Sequence, residues 1–264
     1  VNTHARPPRI LIIAGSDCSG GAGVQADIKT VTCLGGYAMT AVTAVTVQNT
    51  LGVSDIHAIP AGVVAAQIRA CIDDIGVDAI KIGMIGGAET VRAVAAALAG
   101  VGVPIVLDPV MVAKGGASLL DDDAAGALVE LLLPMAAVVT PNTPELAMLA
   151  GTEIEDDADA LLAAQELLLQ GPAAVLAKGA HLPGDRITDW LVTRGGHTAF
   201  QSDRVETRHT HGTGCTLASA LATGLGAGLA LDAAVVQARA FVAQAIARAP
   251  GFGGGHGPLG FHPL

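Results

Sequence analysis

Arg9-Ile-Leu-Ile-Ile-Ala-Gly15 is an unbroken aliphatic run closed by glycine, the pattern of a short strand covered on both faces. The loop after it, through Gly23, leads into a helical stretch that stops near Leu34-Gly35-Gly36, where glycine supplies the C-terminal cap. Residues 40–47 are β-branched at most positions and read as the next strand. Strand, glycine-rich turn, helix, strand is the repeating unit of a parallel sheet, whose neighbours need a long crossover.

The alternation continues outward from there. Helices are expected over 61–73, 88–98, 121–133, 143–150 and 156–169, and strands over 79–83, 104–108, 136–140 and 173–178. The pattern breaks between Asp185 and Arg208. There 187–193 and 197–202 flank Gly195-Gly196, a hairpin signal that puts antiparallel strands at one sheet edge. Two Ala-rich helices follow over 214–229 and 231–249, then a Gly/Pro-rich tail. No linker or fixed-period repeat intervenes, so one α/β domain is expected over residues 1–264. In such open sheets ligands collect outside the carboxyl ends of the strands, here just after Ala14, Val47, Ile82, Leu107, Val139 and Ala177.

Composition narrows the function. The 264 residues carry 14 basic and 24 acidic side chains, a net charge of −10, which argues against nucleic acid as a partner. Any anionic ligand must be held locally, by backbone N–H groups and a few cations. Hydrophobic residues make up 51% but aromatics only 2%, so small aliphatics pack the core. Cys18, Cys33, Cys71 and Cys215 are far apart and read as reduced thiols of a cytoplasmic protein. The first nine residues lack the apolar stretch of a signal peptide. Residues 209–231 are free of Asp, Glu, Lys and Arg, yet their histidines, threonines and glycines fit a loop and a buried helix better than a membrane span.

Unusual residues gather at the strand ends. Gly15-Ser-Asp-Cys-Ser-Gly-Gly-Ala-Gly23 either brings backbone amides close to an anion or a polar ring, or is a tight turn. No Gly-Lys-Ser/Thr follows, so it is not a P-loop. Asp27, one turn into the helix, complements the helix dipole or helps orient an acceptor. Gln48 and Asn49 end a strand; a primary amide matches the edge of an aminopyrimidine, or caps the turn. Met84, in Lys81-Ile-Gly-Met84, lines a flat pocket or packs in the core.

Asp108-Pro-Val-Met111 sets a carboxylate at a buried strand tip, suited to Mg²⁺ or its water shell. Asn142 and Glu145, in Thr140-Pro-Asn-Thr-Pro-Glu145, cap a helix or hold Mg²⁺ through water. Lys178 follows the next strand, within reach of nucleotide phosphates. The sharpest feature is Thr210-His-Gly-Thr-Gly-Cys-Thr216. Gly212, Thr213 and Gly214 introduce a helix with amides converging on an anion hole, and the helix dipole with a nearby cation favours a Cys215 thiolate. That thiolate would accept the acceptor hydroxyl proton or orient the hydroxyl; the alternative is a packed Cys behind a Gly-rich cap. The spacing of His209 and His211 argues against zinc, and no G-x-S-x-G supports a serine hydrolase.

Taken together, and including Gly255-His-Gly-Pro258, these segments resemble the hydroxymethylpyrimidine/phosphomethylpyrimidine kinase family of the ribokinase-like superfamily, from Ile10 to about Pro258. The resemblance implies a three-layer α/β/α fold, a mostly parallel central sheet with antiparallel edge strands, and a homodimer. It implies ATP and Mg²⁺, and two successive phosphorylations of 4-amino-5-hydroxymethyl-2-methylpyrimidine, to the monophosphate and then the diphosphate of thiamin biosynthesis. Carried over by position, Gln48 reads the pyrimidine, with Gly15, Ala22, Asp27, Met84 and Val110 around it. Asn142, Lys178 and Thr213 face the nucleotide, and Asp108 and Glu145 the metal. Cys215 stands where most ribokinase-like enzymes keep an aspartate base. A pyridoxal kinase of the same fold is the nearest rival, and a non-catalytic sensor of pyrimidine or nucleotide a third reading.

Overall fold

The computed structural model describes residues 6–111 and 122–262. In chain order the elements are β1 (Arg9–Asp17), α1 (Gly23–Cys33), β2 (Tyr37–Asn49), β3 (Gly52–Ala58), α2 (Ala61–Ala70), β4 (Ala79–Ile82), α3 (Ala88–Leu98), β5 (Ile105–Leu107), α4 (Asp122–Ala127), β6 (Val138–Val139), α5 (Thr143–Ala150), α6 (Asp157–Leu169), β7 (Ala174–Ala177), β8 (Arg186–Thr193), β9 (Gly196–Asp203), α7 (Thr213–Gly226) and α8 (Leu231–Ala247). The strands form one sheet in the order β3-β2-β1-β4-β5-β6-β7-β8-β9. From β2 to β7 all pairings are parallel; β3, β8 and β9 are antiparallel additions at the two edges.

Period-two alternation sends each strand's side chains to opposite layers. Leu11, Ile13, Ile80, Ile82 and Leu107 pack with α2, α3, α5 and α6. Ile10, Ile12, Ala79 and Val106 pack with α1, α7 and α8. This is the three-layer ribokinase-like arrangement that the resemblance implied. The Gly195–Gly196 hairpin joins β8 to β9 as expected. The opposite edge was not anticipated: β3 turns back from β2 through Thr50 and Leu51, and most of its residues are exposed, so it lacks the apolar alternation that marks a strand.

Two helix ends differ from expectation. The stretch after α2 continues as a π-helical turn, Cys71–Ile75, and α4 passes through a π turn, Leu128–Leu132, and a 3₁₀ turn, Leu133–Met135. The expected start of that helix at Asp121 lies outside the described residues. No described helix is long and apolar enough to cross a membrane, the 209–231 stretch included.

A lysine sits inside the sheet. Lys81 in β4 is fully buried between Ile80 and Ile82 and points toward α1 and α7, where its Nζ meets Asp27 Oδ2 at 2.9 Å. Asp27 Oδ1 accepts a second hydrogen bond from Ser219 Oγ at 2.7 Å. Burial pulls the Lys81 pKa down, but Asp27, with Cys215 and Asp108 nearby, more than offsets it, so Lys81 stays an ammonium. Removing one partner strands the other in an apolar layer. Lys81→Met is expected to cost about 3–5 kcal/mol in urea unfolding. Combining it with Asp27→Leu should regain most of that loss; a double variant no more stable than the single would contradict it.

Candidate active site

The carboxyl ends of β1, β2, β4, β5, β6 and β7 open into one cavity of about 1100 Å³. Gly15, Ala22, Gln48, Met84 and Val110 line one side, and Asp108, Asn142, Glu145, Lys178 and residues 212–215 line the other. The Met84 ε-methyl lies against Gly15, where any Cβ would overlap it, so glycine keeps that wall thin. Thirteen of the fifteen residues singled out from the sequence therefore share one cavity; the exceptions are Asn49, whose Oδ1 caps the turn by accepting from Leu51 N at 2.8 Å, and Asp27. Asp27 lies one layer below the lining, with its oxygens held by Lys81 and Ser219, and it stands too far along α1 to be in the first turn. Neither the acceptor contact nor the dipole account fits that place. It is the counter-charge of Lys81.

The mouth of α7 is built from two close backbone approaches. Gly212, its N-cap, has φ +84°, and a Cβ there would overlap the Gly21 carbonyl oxygen of the first loop. Only glycine satisfies both demands. No side chain caps α7, which leaves its first-turn amides open to a ligand. The Thr213 amide and hydroxyl both bond to the Thr210 carbonyl, at 3.3 and 2.8 Å. With Thr213 engaged, the Gly214 and Cys215 amides are among the donors that face the cavity at this turn.

Cys215 is not a resting thiolate. Burial pushes its thiol up to about 11; Lys81 pulls the other way, but Asp27 and Asp108 add to the rise, and the Gly23 amide bond offsets it only in part. A helix end and a cation by themselves favour a thiolate; the two carboxylates beside that cation and the burial reverse the balance.

Opposite α7, Lys178 Nζ meets Asp108 Oδ1 at 3.0 Å, and Thr140 Oγ1 donates to the same oxygen at 3.1 Å. A Cβ on Gly214 would lie 3.3 Å from Lys178 Nζ and 3.5 Å from Asp108 Oδ2, so the helix mouth faces this pair directly. Asn142 and Glu145 form a reciprocal capping box: Glu145 N donates to Asn142 Oδ1 at 2.9 Å, and Asn142 N to Glu145 Oε2 at 2.8 Å. Both also face the cavity. Burial raises the Glu145 carboxyl to about 7, Lys178 opposing and Asp108 reinforcing it.

Two functional candidates escaped the sequence reading, Asp17 and His211. His211 Nε2 lies 2.8 Å from Asp17 Oδ2, both residues nearly buried, and 3.3 Å from the Gln48 carboxamide. Asp17 also accepts from Ser19 N, Ser19 Oγ and Ala22 N, each at 2.8 Å. The tail returns to this corner: Gly255 N and His256 N donate to Thr50, and His211 N to the Gly257 carbonyl. The residues lay in quoted motifs, but a pair 194 positions apart leaves no spacing signal.

Burial pushes the Asp17 carboxyl up, yet the bonds from His211, Ser19 and Ala22 outweigh it and hold the group at about 2. A depressed folded-state value means stability that is present above the unfolded carboxylate range and lost as pH falls through it toward 2. Asp17→Asn is expected to lose about 2 kcal/mol at neutral pH and to flatten stability between roughly pH 4 and pH 2. Chemical denaturation across that range measures it.

A family model described as phosphomethylpyrimidine kinase matches residues 17–260. Hydroxymethylpyrimidine/phosphomethylpyrimidine kinase of Streptomyces coelicolor is 46% identical over 96% of this chain and 94% of its own length. The protein of that name from Haemophilus influenzae is 47% identical over 95% of each. Among solved structures, an ADP complex of Bacillus subtilis pyridoxal kinase superposes with a TM-score of 0.90 at 32% identity, over 98% of both chains. Phosphomethylpyrimidine kinase of Clostridium difficile gives 0.81 at 36%, over 90% of this chain and 99% of that one. With the model match spanning nearly every residue from the first loop to the tail, the chain belongs to the phosphomethylpyrimidine kinase family.

Proposed function

We propose that this protein transfers the γ-phosphoryl group of ATP to the hydroxymethyl oxygen of 4-amino-5-hydroxymethyl-2-methylpyrimidine, and a second phosphoryl group to the resulting monophosphate, as a step of thiamin biosynthesis. One observation carries the reading: a single cavity runs from the Gln48 and Met84 wall to the uncapped mouth of α7, with Lys178 across from it. A flat ring on the first side brings its hydroxymethyl arm to Cys215, and phosphates on the other meet the Gly214 and Cys215 amides.

Each residue then has a task. Gln48 pairs with the ring edge, and Ala22, Gly15, Met84 and Val110 enclose the ring faces. Lys178 stays cationic beside Asp108 and Glu145 and offers a point charge to the transferring phosphoryl. Cys215, kept protonated by its burial, orients the acceptor hydroxyl rather than stripping its proton in advance. A loose phosphoryl-transfer transition state asks little more, because bond formation to the attacking oxygen lags behind departure of the leaving group.

No trio of acidic, His or Cys side chains among the described residues forms a metal cage by itself. Asp108 Oδ2 and Glu145 form instead a sparse two-carboxylate set, which suits Mg²⁺ carried on nucleotide phosphates with most of its water shell. Asp108 and Glu145 would hold it, Asn142 orienting Glu145 through the capping box, and the ion would neutralise charge on the phosphate oxygens.

The single continuous sheet supports one domain over the whole chain. Exposed Val45 and Val47 beside the edge strand β3 support a homodimer, and biosynthetic relatives support a cytoplasmic setting. Pyridoxal phosphorylation is the second reading, favoured by the close superposition on pyridoxal kinases.

Product analysis with ATP, Mg²⁺ and either acceptor separates the two: pyrimidine mono- and diphosphate are expected, and turnover of pyridoxal alone would reverse the assignment. Cys215→Ala should lower kcat about 10- to 100-fold with little change in acceptor KM. An unchanged rate would reduce Cys215 to packing. Gln48→Ala should raise acceptor KM roughly tenfold while ATP KM holds; equal weakening of both substrates would argue against its role.

A further inference from the structure

Oxygen and nitrogen of a carboxamide have the same shape, so only their neighbours tell them apart. Around Gln48 the neighbours decide. Thr46 Oγ1 lies 3.0 Å from the Ser16 carbonyl oxygen and 3.2 Å from the Gln48 side-chain atom placed as Oε1, while the atom placed as Nε2 faces His211. A carbonyl oxygen only accepts, so the one Thr46 hydroxyl proton goes to Ser16, and Thr46 turns a lone pair toward Gln48. On the other side, His211 Nε2 lies 2.8 Å from Asp17 Oδ2 and 3.3 Å from the Gln48 amide. Asp17 is ionised at neutral pH, so Nε2 carries a proton aimed at it in either charge state of the ring. The Gln48 atom beside that N–H has to be an acceptor. Both contacts call for the amide turned over from that placement: Nε2 of Gln48 then donates to Thr46, and Oε1 takes a second branch of the His211 proton.

We infer that Thr46, His211 and Asp17 are positioning residues that fix the donor–acceptor order Gln48 presents to the acceptor ring, and thereby select a ring nitrogen flanked by an amino group over a ring N–H flanked by a carbonyl. The inference rests on the reading of Gln48 as the ring-binding residue. With those bonds made, Gln48 keeps one N–H and one Oε1 lone pair for the cavity it lines. Amino to Oε1 and ring nitrogen to Nε2 pairs a 4-aminopyrimidine edge completely. A 4-oxo edge would set N–H against N–H and oxygen against oxygen, which a freely turning amide could avoid and a fixed one cannot. The network is tied to backbone at both ends. Gln25 Nε2 donates to Ser16 Oγ at 2.8 Å and its Oε1 accepts from Asp17 N at 2.9 Å, while Asp17 holds the Ser19 and Ala22 amides.

The test compares kcat/KM for the 4-amino acceptor and its 4-oxo analogue, with ATP and Mg²⁺, in wild type, Thr46→Val, Thr46→Ser and Gln48→Ala. Wild type should prefer the amino compound at least roughly 100-fold. Thr46→Val, which leaves the amide without its acceptor, should cut that ratio about tenfold with ATP KM unchanged, and Thr46→Ser should restore it. A wild type without preference, or a folded Thr46→Val with the wild-type ratio, overturns the inference. The Gln48→Ala arm separates the two ideas. If it moves neither acceptor KM nor the ratio, the ring-binding reading fails; if it moves the ratio and Thr46→Val does not, only the fixed orientation fails.

Discussion

A charge placed in an apolar layer has to bring its counter-charge with it, and this constraint shapes the catalytic edge of the sheet. Lys81 with Asp27 and Lys178 with Asp108 meet the demand as ion pairs, and the Asp17 carboxylate meets it through its hydrogen bond to His211. Each contact joins residues remote in sequence, so each also locks one element to another: β4 to α1, the end of β7 to the end of β5, and the loop before α7 to the end of β1. The sheet positions the site, and these contacts hold the loops to the sheet.

Lys81, Asp27 and Asp108 also explain why Cys215 behaves unlike an isolated thiol at a helix start. Lys81 lies close enough to favour a thiolate, but it arrives already matched by Asp27, and Asp108 stands on the other side. What the thiol meets is a nearly neutral cluster, and burial decides. A cation read from sequence promises activation; the same cation read with its partner promises mainly geometry.

Much of this was legible in the chain. Aliphatic runs such as residues 10–14, buried on both faces, gave the parallel strands, and glycines such as Gly35 marked helix ends accurately. The strand-end rule then gathered Gln48, Met84, Asp108 and Lys178 in one cavity, because a strand's direction fixes which end faces the ligand. The failures share a cause. The edge strand β3 pairs through backbone alone and leaves its side chains in solvent, so no hydrophobic pattern announces it. Asp27, Asp17 and His211 take their meaning from partners 54 and 194 positions away, and local motif reading assigns such residues to whatever lies beside them.

The glycine-rich tail carries one more consequence. Thr50, at the turn after β2, is held by backbone donors about two hundred positions later, and His211 leans on the Gly257 carbonyl. During translation the β1–β2 unit emerges long before its closing strap exists. Until residues near 257 leave the ribosome, that corner has an unfinished wall, and the nascent chain carries a sheet without a finished pocket. Assembly of the Gln48 side of the cavity is therefore a late event of synthesis, set by long-range closure rather than by the early strands alone.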